Sequence, residues 1–86
     1  MRSKFVTGAA VTDLGTLAPF FPGSTLTVLE VAGAVNTLQE SDAATGPFST
    51  IPGAAAVAAN GAVDVVISKR YVAIEDGSGK FVILGN

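Results

Sequence analysis

The sequence predicts an all-β fold: a small antiparallel β-sandwich, Ig-like or jelly-roll, with an extended N-terminal arm. Three observations lead there. Apolar and polar residues alternate with a period of two over most of the chain. Turn residues return about every 8 to 12 positions, the spacing of sandwiches and barrels. The chain has 86 residues, enough for one core and not for two. Residues 1–24 read as an arm and loop segment and 25–86 as the sandwich, a single domain overall.

Phe5 to Val11 is read as a first strand or as part of the arm. Thr25 to Ala32 is a strand with Leu26, Val28 and Glu30 on one face and Thr27, Leu29 and Val31 on the other. Both faces are largely apolar, so the strand is expected to be central or covered twice. After Gly33-Ala34 the next strand, Ala34 to Ser41, sets Asn36, Leu38 and Glu40 opposite Val35, Thr37 and Gln39. A loop follows, then a short strand from Phe48 to Ile51, stopped by Pro52-Gly53. Ala54 to Ala59 suits either a short strand or a helical turn, because alanine favours helix but six residues cannot hold one unaided. The strand is preferred, since Asn60-Gly61 is a hairpin signal. Val63, Val65 and Ile67 then face inward, with Asp64 outward. Tyr71, Ala73 and Glu75 alternate with Val72 and Ile74. Asp76-Gly77-Ser78-Gly79 turns the chain into Lys80 to Leu84, and these last two strands are expected to form a hairpin.

One stretch fits no strand. Leu17-Ala18-Pro19-Phe20-Phe21-Pro22-Gly23 has two prolines that remove ladder donors, and two adjacent rings that cannot share one face of an extended backbone. Either it lids the open end of the sandwich and buries one ring, or it plugs into a neighbouring subunit. Phe20, Phe21, Leu17, Pro19 and Pro22, with the basic Arg2 and Lys4, form the candidate assembly interface.

Composition narrows function by exclusion. The chain has no His, Cys or Trp, so thiol chemistry, disulfides, imidazole or thiolate metal sites and a histidine general base are absent. With 5 basic and 7 acidic residues the formal net charge is -2, which argues against nucleic acid as a partner. Only 14% of residues are charged, against roughly a quarter in ordinary soluble domains. Leu14 to Leu29 and Ala43 to Val63 carry no charge at all. Glycine and proline break both runs, so neither reads as a membrane span, and the N-terminus makes a poor signal segment. Synthesis in a cytoplasm is expected. A surface so thinly charged is expected to be covered in the working state, through homo-oligomerisation or a partner.

Motifs for chemistry are thin. Gly77-Ser78-Gly79-Lys80 is a turn, because Ile74 stands where a phosphate loop needs its first glycine. Glu40, Asp42, Glu75 and Asp76 lack the alternate-position oxygens of a Ca²⁺ loop. Lys69-Arg70 reads as a solubilising strand edge. No catalytic, cofactor-binding or metal residue is assigned, and no enzyme is expected.

The middle of the chain resembles small virion proteins of tailed bacteriophages. The residues that carry the likeness are Leu38-Gln39-Glu40-Ser41-Asp42, Gly46-Pro47-Phe48-Ser49-Thr50-Ile51-Pro52-Gly53-Ala54, Ala59-Asn60-Gly61 and Arg70-Tyr71-Val72-Ala73-Ile74. Ala43 departs from the pattern, which has a second acid there. The resemblance spans about Thr25 to Leu84 and implies a β-sandwich or jelly-roll that decorates and cements a capsid. It further implies a homotrimer on the virion surface, bound to the major capsid protein. A tail or baseplate module of the same fold is the alternative. A carbohydrate-binding sandwich ranks below both, because Tyr71 is the only tyrosine.

Overall fold

A computed structural model describes residues 2–15 and 18–85. Eight strands form two antiparallel four-stranded sheets packed face to face: β1 (Arg2–Thr7), β2 (Thr12–Asp13), β3 (Ser24–Glu30), β4 (Leu38–Ser41), β5 (Ser49–Thr50), β6 (Ala62–Ile67), β7 (Tyr71–Ile74) and β8 (Lys80–Gly85). The first sheet runs β1-β8-β3-β6 and the second β2-β7-β4-β5. The expected all-β sandwich is the fold.

Inward positions follow the alternation. Val6, Leu26, Val28, Val65, Ile67, Phe81 and Ile83 from the first sheet meet Leu38, Val72 and Ile74 from the second in one core. Loop residues Leu14, Phe20, Ile51, Ala54 and Val57 complete it.

Three features of the chain path differ from the sequence reading. First, residues 2–7 are not an arm. β1 pairs along its whole length with β8, from Arg2↔Gly85 to Thr7↔Lys80, and β2 pairs with β7. The radius of gyration is 11.1 Å, near the roughly 12 Å of a compact chain of this length. Val6, Leu14 and Phe20 belong to the same core as residues beyond 24, so the division at 24 does not separate two bodies.

Second, β7 and β8 form no hairpin, because they lie in different sheets. The Asp76–Gly79 turn, closed by Gly79 N–H donating to Asp76 O at 2.9 Å, is a corner between layers. Period-two alternation sets which face is buried, but says nothing about which sheet a strand joins.

Third, Ala54–Ala59 is neither helix nor regular strand. It bends past Pro52-Gly53 and lies along the chain before β4, with a bridge Asn36↔Val57 and Leu38 N–H donating to Ala54 O at 3.1 Å. Asn60 does adopt the left-handed conformation, at φ 57°. Its turn closes from Gly61 N–H to Ala58 O and leads into β6, which pairs with β3 rather than with the alanine segment.

Strand ends also moved for a definable reason. β3 stops at Glu30 and β4 starts only at Leu38. The N–H groups of Ala32, Gly33 and Ala34 donate to the Glu30 carboxylate (2.8, 2.9 and 3.2 Å) instead of to a neighbouring strand.

Candidate functional site

The segment Ala18–Gly23 closes one end of the sandwich. Phe20 is 3% exposed and belongs to the core, whereas Phe21 is 44% exposed. Backbone bonds fix the segment where it joins β3, with Gly23 N–H donating to Ile67 O at 2.7 Å. Pro19 lies against Gly85, where a side-chain carbon would approach its Cγ to 2.5 Å, so only glycine admits the proline. The two basic residues of β1 reach the same region. Arg2 donates to Ala18 O at 3.2 Å, and Lys4 Nζ donates to Asp13 O at 3.1 Å. Lys4 Nζ also stands 5.8 Å from the centre of the Phe20 ring, close enough for cation–π attraction.

The expected interface residues are therefore divided. Phe20 is withdrawn into its own chain, and Arg2 and Lys4 hold the lid. Pro19 is half-buried, and Phe21 and Pro22 remain exposed. Leu17 lies outside the described residues. Truncating Phe20 to Ala is expected to cost about 3 to 5 kcal/mol. Phe21→Ala is expected to stay within about 0.5 kcal/mol of the parent. Thermal melting of the two single variants checks this, and equal losses would contradict the division.

The carboxylates do not gather. Glu40 is buried and accepts from Ser68 N–H at 2.9 Å and Ser68 Oγ at 3.1 Å, tying β4 to the connection after β6. Asp76 accepts from Ser78 N–H and Oγ, both at 3.0 Å, and these bonds hold its carboxyl below the usual range. Asp13 makes a two-pronged pair with Arg70, with both N–O distances 2.9 Å. That pair lowers the Asp13 carboxyl and raises the Arg70 guanidinium from their ordinary values. Lys69 lies 3.9 Å from Asp42, with both side chains exposed. The Lys69-Arg70 pair is thus met by acids within the chain. Among the described residues no group of three or more His, Cys, Asp or Glu side chains could hold a metal ion.

Glu30 is the most heavily bonded polar side chain. It is fully buried, with Oε1 accepting from Gly33, Ala34 and Asn60 N–H and Oε2 from Ala32 N–H and Asn36 Nδ2. Burial pushes its carboxyl up and is the largest single influence, but the bonds from Asn60, Ala32, Asn36 and Gly33 together hold it below the ordinary value. The loop after β3 and the turn before β6 are organised by one anion.

What the reading by residue type missed is a surface. On the outer face of the first sheet, register aligns Phe5, Val82, Leu29 and Ala62 in one row across all four strands. The next row holds Ser3, Leu84, Thr27 and Asp64. Phe5 is 57% and Val66 52% exposed on this face. A signal for it stood in the sequence, since Leu29 and Val31 made the second face of β3 apolar. The chain covers only the first face, and among the described residues nothing covers the second. Comparison with protein-family models, with curated proteins and with solved structures found no match.

Proposed function

We propose that the chain is a structural virion protein that decorates and reinforces a bacteriophage capsid, bound to the major capsid protein on the particle surface. The observation that carries this reading is the open outer face of the first sheet. A four-stranded apolar row on a domain with 14% charged residues suits a protein that works covered by other protein. The resemblance in residues 38–42, 46–54, 59–61 and 70–74 supplies the kind of assembly. Those residues fall at β4, at the bend past Pro52-Gly53, at the Asn60 turn and at β7, positions that set the sandwich. A decoration protein needs no catalytic group. Each copy stabilises the shell by binding its assembled form more tightly than its dissociated parts.

The second reading is a tail or baseplate module of the same fold. Co-sedimentation separates the two. Purified or expanded heads are expected to carry the chain down at stoichiometric levels, and tails are not. Binding to tails alone would replace the capsid reading with the tail reading, and binding to glycans alone would overturn both.

A further inference from the structure

We propose that the outer face of the first sheet is the surface by which two copies of this chain pair, about a two-fold axis passing over Leu29. The face carries only two charged residues among those described. Lys80 lies on β8 in the row of Thr7, and Asp64 lies on β6 in the row of Thr27. Neither makes an ion pair within the chain. Between β8 and β6 stands β3, and between those two rows stands the row of Leu29. Leu29 is thus the midpoint between the lone cation and the lone anion.

That placement has a consequence for symmetry. When two identical sheets stack face to face, the two-fold axis lies in the plane between them. An axis over Leu29, perpendicular to the line from Lys80 to Asp64, brings each copy's Lys80 over its mate's Asp64. Both ion pairs form at once, and the uncharged row of Phe5, Val82, Leu29 and Ala62 is covered between them. An isologous contact requires such self-complementarity.

Size is adequate. Four strands about 4.8 Å apart and about six residues long give a projected face of about 400 Å². With side-chain relief on both copies the buried total reaches about 1,000 Å², the lower bound for a specific interface. The second cover that the two-sided apolar pattern of β3 requires is then a second copy. This pairing goes beyond the virion reading and does not depend on it, because it forms in the absence of any capsid. It also differs from the homotrimer that the resemblance implies.

The test uses the full chain in sedimentation equilibrium, with circular dichroism to confirm folding of each variant. The parent is expected to sediment as a dimer. Lys80→Asp is expected to weaken pairing at least about tenfold by setting like charges together. Adding Asp64→Lys is expected to restore it, a rescue that a general change in net charge cannot give. Leu29→Cys supplies an independent reading, because the chain has no cysteine of its own. Stacked sheets lie about 10 Å apart, too far for a direct disulfide but within reach of a short bis-maleimide. The cross-linker is expected to join Leu29→Cys into dimers and to leave Val35→Cys, exposed outside the strands, unjoined. A parent that stays monomeric at high concentration overturns the proposal. So does a trimer, or a dimer that fails to respond to Lys80→Asp.

Discussion

Glu30→Gln is expected to lower Tm by at least about 10 °C, a larger loss than removing a surface charge can cause. The reason is saturation. Both carboxylate oxygens accept from N–H donors, three at Oε1 and two at Oε2, and the one free acceptor beside them is Asn36 Oδ1, on the amide that donates to Oε2. An amide nitrogen at the Oε1 position opposes three backbone N–H groups, and at the Oε2 position it opposes Ala32 N–H even when Asn36 turns its oxygen to accept. Glutamine is thus no conservative replacement here, although it matches glutamate in shape. The damage is expected first at Ala32–Asn36 and at Asn60, which hydrogen exchange resolves, because both loops take their form from this anion.

The same site sets the response to acid. The folded-state value of Glu30 lies below its ordinary 4.5, and those of Asp13 and Asp76 lie below 3.8. A carboxyl held down by folding contributes stability that is present above its unfolded value and is lost as pH falls through the folded one. Melting temperature is therefore expected to hold from neutral pH to near 4.5 and to drop below it. Glu30→Gln is expected to start lower and to flatten that acid limb. A variant whose acid limb matches the parent would show that Glu30 does not carry the dependence.

Val65→Asp is expected to abolish folding. Val65 is 3% exposed on β6, with Ile67 beside it on the same inward face. An unpaired carboxylate there costs several kcal/mol, against about 5 to 10 kcal/mol for the whole stability of a domain this small. Val66→Asp, one residue on and 52% exposed, is expected to fold. Cooperative melting of Val65→Asp, or loss of folding in Val66→Asp, would mean that the strand faces are reversed.

Which parts of this architecture were legible in the sequence follows from what alternation encodes. It set Val63, Val65 and Ile67 inward and grouped Leu26 with Val28 and Val72 with Ile74 on shared faces, and the structure packs each of these groups into or against the core. It also set Glu30 on the face of Leu26 and Val28, and Asn36 and Glu40 on the face of Leu38, and all three polar residues are buried there. Partner strands were not legible. Asp76-Gly77-Ser78-Gly79 has the composition of a hairpin, yet the same residues turn a chain between layers just as well. The end of β3 was hidden for a related reason, since a side-chain carboxylate replaced a strand as the acceptor for Ala32, Gly33 and Ala34. The intrachain bonds of the basic pair of β1 were not legible, because its acceptors, Ala18 O and Asp13 O, are backbone oxygens that composition does not reveal.

For the candidate surface, the sequence held the pattern but not the register. Leu29 and Val31 marked β3 as apolar on both sides, whereas alignment of Phe5, Val82, Leu29 and Ala62 in one row required the pairing of strands distant in the chain. Phe20 and Phe21 show the converse. Adjacent rings had to point apart, and only folding decided which one the core would take.

The central claim is that this sandwich works as a covered component of a virus particle. Its most direct measurement is co-sedimentation of the purified chain with heads and, separately, with tails of the phage proposed to carry it. The account predicts saturable binding to heads and none to tails. A chain that stays in the supernatant with heads, while folded by circular dichroism, would contradict it.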